Sequence, residues 1–390
     1  MGSPWPMEAF GTMYAEPSRN GLMAPSRVRG TGVKLVNMRE IFAFEFIGDQ
    51  DMELAPIPEK NRESWILRGG DLLFARQSLV RSGAGKCVLV QGSESERTFE
   101  SHIIRVRLDE KVADPEFFYY YFLSHLGREN MDSIIEQVAA AGIRSSDLAK
   151  LRVPVPPVDE QRRVAATLGR LDALIEVNEG LAKDLRTTAA EVFNSGRASR
   201  SVTFDQIAHL VSDRVQVKDI NGTEKYLGLD AFHTDGGGIA QVGSSGSLAS
   251  SQLKFESGDC LFGKLRPYFR KFDRPGFSGI CSPEIWVLRA DRSAATSAFI
   301  YSVIASTRFT DAVNEGSGGT RMPRADWAHV KSLRLEIPSF DEIQRLEKLA
   351  EPLWSAHWAL QEENEHLRTT RDELLPLLIG GAVSIAEVAA

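Results

Sequence analysis

The sequence Pro156-Pro157-Val158-Asp159-Glu160-Gln161 recurs as Pro338-Ser339-Phe340-Asp341-Glu342-Ile343-Gln344. Leu185-Arg186-Thr187-Thr188 recurs as Leu367-Arg368-Thr369-Thr370, and the offset between these copies equals the offset between the two Asp-Glu pairs. Upstream, Gly70-Asp71-Leu72-Leu73-Phe74 recurs as Gly258-Asp259-Cys260-Leu261-Phe262, at a slightly larger offset. Matches in this order indicate one structural plan used twice along the chain.

A helical seam follows each copy of the junction. Apolar and amide residues recur in steps of three and four over about four heptads, which is typical of coiled-coil packing. The sequence therefore predicts two long helices that pair antiparallel, with Asp159 and Asp341 as N-caps, Pro352 as a kink and buried asparagines that fix the register. A surface helix on each domain is the alternative. The seam residues are Val164, Leu168, Leu171, Ile175, Asn178, Leu185, Leu346, Leu353, Leu360, Asn364 and Leu367.

The segments between the helices are predicted to be mixed domains. Short runs such as Trp65–Leu67, Asp71–Phe74 and Lys86–Val90 have strand composition, and Phe117–Leu126 and Ala298–Ile304 have helical composition. The predicted class is α+β, with a pseudo-two-fold repeat of two similar mixed α/β domains separated by the paired helices. The boundaries are 1–157 and 201–338 for the domains, 158–200 for the central helix and 339–390 for the second helix and tail.

Composition excludes several classes of protein. Of the 390 residues, 43% are hydrophobic and 25% charged, which suits sizeable globular cores. The sequence lacks the long apolar run of a membrane span and the pattern of a signal peptide, and its three cysteines are far apart, so we expect a cytoplasmic protein. The net charge of −7 lies mainly in residues 339–390, with 4 basic and 10 acidic residues, and leaves DNA binding open elsewhere.

The sequence carries none of the common catalytic or metal-binding motifs. HExxH, CxxC, the phosphate-binding GxxxxGK[ST], the GxSxG elbow and a methyltransferase catalytic loop are all missing. The Gly-rich stretches 236–238 and 316–319 are better explained as loops than as nucleotide sites. We therefore predict a non-catalytic chain that binds neither a cofactor nor a metal.

Two matched loops follow the Gly-Asp motifs and carry candidate DNA contacts. The first reading loop, residues 75–82, contains Arg76, Gln77, Ser78 and Arg81. In the second reading loop, residues 263–271, the candidates are Lys264, Arg266, Tyr268, Arg270 and Lys271. Arginine and glutamine can read base edges and lysine can contact phosphate. A solvated charged surface is the alternative for both loops.

A second matched pair, the companion loops at residues 142–147 and 319–326, adds further candidates. These are Arg144 and Ser145 in the first half and Arg321 and Arg324 in the second. Capped turns beginning at Asp147 and Asp326 would explain the same pattern. Arg19, in a predicted polar turn at residues 17–20, is a weaker candidate for a backbone contact.

The junctions resemble the specificity subunits of Type I restriction-modification systems. The residues that carry the resemblance are Leu151 to Val164, leading into Leu168, Leu171, Asp172 and Ile175, with a second copy at Leu335 to Gln344 that differs by an inserted Ile343 and a missing proline. The two Gly-Asp-Leu-Leu-Phe-like copies also fit this family.

The resemblance implies two target recognition domains that each read half of a split, asymmetric site on double-stranded DNA. It also implies helices that set the gap and dock two adenine methyltransferase subunits, which use S-adenosylmethionine, and it leaves room for motor-nuclease subunits. A specificity subunit of another restriction or phage-defence complex, and a coiled-coil scaffold without DNA binding, remain alternatives. The target sequence does not follow from the residues.

Overall fold

A computed structural model of the chain describes residues 5–137, 141–246, 248, 250–318 and 322–383. The chain divides into two compact units. The first unit comprises Met1–Ile175 with His366–Ala390, and the second comprises Glu176–Glu365. Each of the two long helices therefore contributes one part to each unit, whereas the sequence-based boundaries treated each helix as a separate segment.

The elements are numbered in chain order. The helices are α1 Met38–Ala43, α2 Pro115–Leu123, α3 His125–Asp132, α4 Ser145–Leu148, α5 Val158–Glu191, α6 Ser297–Ala305, α7 Thr307–Glu315, α8 Trp327–Val330 and α9 Phe340–Ile379. The strands of the first unit are β1 Met7–Ala9, β2 Tyr14–Asn20, β3 Val33–Val36, β4 Phe46–Ile47, β5 Leu54–Ala55, β6 Leu72–Ala75, β7 Gln77–Ser78, β8 Cys87–Val90, β9 Arg97–Phe99, β10 Ile103–Leu108, β11 Glu136–Gln137, β12 Ala141–Gly142 and β13 Arg152–Pro154.

The strands of the second unit are β14 Arg200–Thr203, β15 Ala208–Val211, β16 Arg214–Val215, β17 Lys225–Leu227, β18 Gly243–Ser244, β19 Gln252–Phe255, β20 Cys260–Gly263, β21 Phe272–Asp273, β22 Gly279–Cys281, β23 Ile285–Ala290 and β24 Arg334–Ile337. The predicted mixture of helix and strand is confirmed. None of the described helices is long and apolar enough to cross a membrane.

Each unit is built on a sheet of the same plan, which is antiparallel except that β4 pairs parallel with β8 in the first unit. In the first unit the strand order is β2-β10-β6-β8-β4, and in the second it is β15-β23-β20-β21. The central pairs match: β10 pairs with β6, and β23 pairs with β20. The helices α2 to α5 all precede their counterparts α6 to α9 by one constant offset, whereas the offset from β6 to β20 is slightly larger. The repeat seen in the sequence is thus present in the order and spacing of the elements.

The repeated Gly-Asp motif forms a turn whose buried aspartate holds an arginine. Gly70 and Gly258 have φ angles of 88° and 85°, a left-handed conformation that favours glycine. Asp71, which is fully buried, accepts hydrogen bonds from Nε and Nη2 of Arg107, both at 2.7 Å. Asp259 accepts the equivalent pair from Arg289 at 2.8 and 2.7 Å. The motif is therefore a structural clamp between the turn and the strand that carries the arginine, β10 or β23.

The aromatic run in α2 builds much of the first core. Six consecutive side chains, Phe117 to Phe122, are buried there because the helix is enclosed on several sides. The beginning of α5 and the end of α9 complete this core: Leu168 and Val164 share it with Leu375 and Leu378.

A charged cluster joins the same helices within the first unit. Nη1 of Arg371 lies 2.7 Å from Oδ1 of Asp172, and the hydroxyl of Tyr120 donates to Oδ2 of Asp172 at 2.6 Å. Burial raises the pKa of Tyr120, and its bond to the Asp172 carboxylate raises it further, so the phenol stays protonated as a donor. The cluster gives α5 and α9 a directional contact in addition to the apolar one.

In the second unit the two helices meet through polar groups. Nδ2 of Asn178 donates to Oδ1 of Asn364 at 3.0 Å, and both side chains are buried. Nδ1 of His357, also buried, donates to the carbonyl oxygen of Ala182 at 2.8 Å.

All residues of the predicted seams are buried or half-buried. The Asn178–Asn364 pair gives a reason for amides in an apolar seam, because a shifted register would bury them without partners.

Several local predictions are wrong. Asp159 and Asp341 lie inside the first turns of α5 and α9, which begin one residue earlier, so they favour the helix dipole but are not caps. Ile343 is no insertion, since it occupies the place of Gln161 in the second copy and is buried like it. Residues 65–67 form no strand. Pro352 lies within helix α9, and the kink expected there stays a prediction.

The Leu168→Asp variant is expected to destabilise the first unit. Leu168 is fully buried in its core, and a carboxylate there loses apolar contacts and gains an unpaired charge, together at least about 3 kcal/mol. Thermal unfolding measures the loss. Leu174→Asp, on the same helix at a position 41% exposed, is the matched control and should unfold near the parent temperature. Equal melting of the two variants would contradict this packing.

His357 is expected to make stability depend on pH. Burial lowers its pKa in the folded state, an effect partly offset by Asp273. Because the unfolded chain then binds the proton more readily, the stabilisation is present above pH about 6.5 and falls by up to about 1.4 kcal/mol per pH unit below it. Chemical denaturation at pH 7.5, 6.5 and 5.5 measures the slope. A His357→Gln variant with an undiminished slope would rule out this histidine as the source.

Candidate DNA interface

The first reading loop and its companion loop lie side by side. Strand β7, inside the reading loop, pairs with β12, which in turn pairs with β11. The backbone N–H of Ile143 donates to the carbonyl oxygen of Arg76 at 3.0 Å. Segments that the sequence presented as two separate candidates therefore form one small sheet at the end of β6.

The second unit repeats this arrangement bond for bond. The backbone N–H of Ala325 donates to the carbonyl oxygen of Lys264 at 2.8 Å, the counterpart of the Ile143–Arg76 bond. Leu265 forms a β-bridge with Arg324, and the N–H of Arg266 donates to Pro323 O at 2.8 Å. Both units thus present a reading loop and a companion loop as one surface.

In the first unit most of the candidate side chains have partners on this surface. Arg81 donates through Nη2 to Asp132 O at 2.9 Å, and Arg144 pairs with Glu136 at 2.7 Å while remaining largely exposed. Arg76 is half-buried, with Nη1 3.5 Å from Ser101 O. Gln77 is exposed at the centre of the surface, Ser78 Oγ accepts from Val80 N, and Ser145 is the first residue of α4.

Arg19 lies in strand β2, so the predicted turn at residues 17–20 is wrong. Its Nη1 donates to Ser64 Oγ at 2.7 Å, and its guanidinium lies 4.5 Å from the ring centroid of Trp65. The alternation of apolar and polar residues that would have indicated a strand is weak here because Pro17 interrupts it. The structure keeps Arg19 in a cation–π contact within the first unit, and a role at DNA remains a prediction.

Two cations of the second reading loop hold the loop itself. Arg270 donates through Nη2 to Ala305 O at 2.6 Å and through Nη1 to Thr310 Oγ1 at 3.3 Å. Lys271 Nζ donates to Leu229 O at 2.6 Å. Both side chains are only partly accessible, and these bonds make them anchors of the loop. Their predicted contact with DNA stays untested.

The other candidates of the second unit face outward to different degrees. Tyr268 is 47% exposed, and Arg324 pairs with Glu284 at 3.1 Å with more than half of its side chain in solvent. Lys264 and Arg266 are half-buried. Asp326 caps α8 by accepting from Ala328 N at 3.0 Å, as the alternative interpretation predicted. Arg321 lies outside the described residues.

Exposed apolar side chains lie at the tips of both reading loops, and of these only Tyr268 was among the residues predicted from the sequence. Leu79 is 95% exposed and Val80 60%. In the second unit, Phe269 accompanies Tyr268 at 37% exposed, and Met322 of the companion loop is 52% exposed. Apolar residues inside a predicted DNA-binding loop are a usable signal, since such a loop has no core to bury them.

The buried thiols of the second unit are protonated. Burial raises the pKa of Cys260 and of Cys281 to about 12. A thiolate is the reactive form of cysteine, so neither group is an activated nucleophile near pH 7. Within the part of the chain that the structure describes, His, Cys, Asp and Glu side chains form no group of three or more that could hold a metal ion.

Comparison with known proteins points to one family. Residues 44–187 match the family model described as Type I restriction modification DNA specificity domain. The Type I restriction enzyme EcoKI specificity subunit of Escherichia coli K12 is 26% identical over 178 residues, 45% of this chain and 37% of the relative. The putative MjaX specificity subunit of Methanocaldococcus jannaschii is 23% identical over 265 residues, 65% of this chain and 59% of the relative. The chain therefore spans less than two thirds of the length of these relatives.

A solved structure shares the fold. The crystal structure of a Type-I restriction-modification system S subunit from M. genitalium matches with a TM-score of 0.57 and 14% identity, over 96% of both chains. The resemblance predicted from the junction sequences is confirmed.

Removing the two anchors is expected to loosen the second reading loop without unfolding the unit. In an Arg270→Met/Lys271→Met double variant the carbonyls of Ala305 and Leu229 lose their donors, so amides 264–271 should exchange hydrogen faster by about tenfold or more. Hydrogen–deuterium exchange with mass spectrometry measures this. Arg334→Met, at an exposed position of the same unit, is the control. Unchanged exchange in the double variant would show that the side chains do not restrain the loop.

Proposed function

We propose that this chain, whose residues 44–187 match a Type I restriction modification DNA specificity domain, is the sequence-reading subunit of a Type I restriction-modification complex. Each unit reads one half of a split site on double-stranded DNA. The observation that carries the proposal is the equivalent pairing of reading loop and companion loop in both units, through the Ile143–Arg76 and Ala325–Lys264 hydrogen bonds. A scaffold without DNA binding would have no need to build this surface twice.

The two half-sites differ under this proposal. The first surface offers Gln77 and Arg144 together with an aliphatic tip, whereas the second offers Arg266 and Arg324 together with an aromatic tip. Glutamine suits adenine and arginine suits guanine. Different donors on the two surfaces favour an asymmetric bipartite site over a palindrome.

The long helices supply the spacer in this proposal. α5 has 34 residues and α9 has 40, and a helix of 34 residues is about 51 Å long. One turn of DNA is about 34–36 Å, so a pair of such helices can span the distance between successive half-sites. The Asn178–Asn364 hydrogen bond would fix the register of the antiparallel pair and with it the length of the unread gap.

The outer surface of α5 is proposed as the docking site for two adenine methyltransferase subunits. Leu174, Val177 and Leu181 are 41%, 64% and 49% exposed, and their spacing of three and four places them on one helix face. S-adenosylmethionine would bind to those partners and not to this chain, which is proposed to be non-catalytic. Motor-nuclease subunits would join where restriction accompanies methylation.

Methylome sequencing of cells tests the complete proposal. Cells that express this chain with its neighbouring methyltransferase should gain adenine methylation at one split motif, and cells with the methyltransferase alone should lack it. A soluble methyltransferase that binds the chain yet creates no motif would favour a non-methylating defence complex. Failure of the chain to bind DNA at low salt would favour the scaffold.

The Lys264→Ala/Arg266→Ala double variant is expected to bind DNA about 10- to 100-fold more weakly at 100 mM salt. One phosphate-type contact and one base-type contact are lost, and the dependence of log Kd on log salt should become shallower by about one unit. Fluorescence anisotropy over a salt series measures both quantities. Lys331→Ala/Arg334→Ala removes two exposed cations elsewhere in the same unit and is the matched control. Equal loss in the control would mean that the effect is one of net charge.

A further inference from the structure

Both reading loops end in exposed apolar side chains at corresponding places. The tip of the first loop is Leu79 and Val80, and the tip of the second is Tyr268 and Phe269. A leucine that is 95% exposed is unusual on a folded domain because apolar surface is normally removed from water. Such a tip occurs in both reading loops, each of which also carries cations, and this points to one kind of ligand for both.

The second tip is held in a fixed conformation. Arg266 and Arg270, at the two ends of the turn Pro267–Phe269, have φ angles of 50° and 51°, which non-glycine residues rarely adopt. Backbone hydrogen bonds from Phe269 N to Arg266 O and from Arg270 N to Pro267 O, both 2.9 Å, close the turn. The rings of Tyr268 and Phe269 contact each other with centroids 4.7 Å apart. Strain of this kind persists only where the surroundings impose it, and it is common at binding sites.

The surroundings of the second turn do impose it. The N–H of Asp235 donates to Phe269 O and that of Gly236 to Arg270 O, both at 2.9 Å. The Arg270 side chain is tied to Ala305 O. The aromatic tip is therefore presented ready for contact, so little ordering entropy is lost when a ligand meets it.

The first tip is held at its base. Arg128 donates to Ala84 O at 2.8 Å and to Arg81 O at 3.1 Å, and Gly83 N donates to Val80 O at 3.1 Å. Leu79 stands at the outermost point of this frame. This aliphatic tip is smaller than the aromatic pair of the second loop.

The cations beside the tips indicate which ligand covers them. Arg76 and Arg81 flank the first tip in the chain, and Lys264 and Arg266 precede the second, with Arg324 bonded to Leu265 across the bridge. Positive charge next to an exposed apolar point matches a duplex, which has phosphates outside and base faces inside. Apolar side chains that enter DNA do so as wedges between base steps.

We infer that the two tips act as wedges, each of which partly unstacks one base step in its own half-site. Tyr268 and Phe269 stack on the opened bases, and Leu79 with Val80 fills the step in the other half-site. The inference rests on the proposed function and adds to it a reading of DNA deformability. Because pyrimidine–purine steps unstack most easily, each half-site should contain such a step under its tip, at a position where no side chain reads a base edge.

The test uses the full chain and a duplex obtained by in vitro selection, with the fluorescent base 2-aminopurine placed in turn at each adenine of both half-sites. Unstacking is expected to raise its fluorescence severalfold at one position per half-site on binding. Tyr268→Ala/Phe269→Ala should abolish the rise in one half-site and weaken binding about tenfold or more, because the bases lose the aromatic rings on which they stack. Leu79→Ala/Val80→Ala should abolish the rise only in the other half-site.

Two exposed valines away from the loops provide matched controls. Val112 in the first unit and Val217 in the second are 47% and 43% exposed, and their alanine variants should leave affinity and fluorescence unchanged. Salt-sensitive binding of the parent chain without any fluorescence rise would overturn the wedge and leave the proposed function intact. Absence of DNA binding by the parent chain would overturn the proposed function and the wedge with it.

An abasic site at the responding step gives a second, independent measurement. It removes the stacking energy that the wedge has to overcome, so the parent chain should bind this duplex more tightly than the intact one. The Tyr268→Ala/Phe269→Ala variant, melting like the parent, should show no such gain in its half-site. An equal gain in the variant would assign the effect to general flexibility of the duplex and contradict the inference.

Discussion

The fold of each unit depends on one ion pair with a buried carboxylate, Asp71 with Arg107 and Asp259 with Arg289. In each unit the aspartate accepts two hydrogen bonds from the guanidinium group. It also accepts a hydrogen bond from a backbone N–H, which closes the turn before the next strand. The donor is Arg68 before β6 and Glu256 before β20. A buried carboxylate left without its arginine would carry a desolvation penalty of several kcal/mol. The pair therefore fixes the position of the turn relative to the strand that carries the arginine, β10 or β23. The reading loop begins where β6 or β20 ends, and its place in each unit follows from the clamp.

On the two candidate DNA-binding surfaces, some arginine side chains are held by weak interactions and others by strong ones. Arg144 and Arg324 pair with Glu136 and Glu284 while more than half of each arginine side chain stays in solvent. Exposed pairs of this kind are worth about 1 kcal/mol or less, so a phosphate can replace the carboxylate at little cost. Arg270, by contrast, donates to a backbone carbonyl inside the unit. Arg144 and Arg324 can therefore exchange their carboxylate partners for a phosphate, whereas Arg270 would have to give up a hydrogen bond within the unit.

Much of the architecture was open to prediction because it rests on periodicity and repetition. The seams from Val164 and Leu346 onward and the paired Gly-Asp motifs depend on residue spacing alone. The pairing of β7 with β12 did not follow, since it joins segments far apart in the chain through backbone groups that every residue has. The difference between an anchoring cation such as Lys271 and an exposed one also depends on a distant partner, Leu229 O. The exposed position of Leu79 was not predicted because an apolar residue is normally expected to lie in a core.

The difference in spacing between the two copies falls in two places. One is the stretch between β2 and β6, since Tyr14 and Leu72 lie further apart in the chain than their counterparts Ala208 and Cys260. The other is the stretch between β6 and β10. The last residue of β6 and the first of β10 are Ala75 and Ile103, whereas their counterparts, Gly263 and Ile285, lie closer together in the chain. From β10 and β23 onward the two halves keep one frame. Both changes in length therefore precede the part of each unit that leads into its long helix, and a loop can lengthen there without shifting the elements that follow.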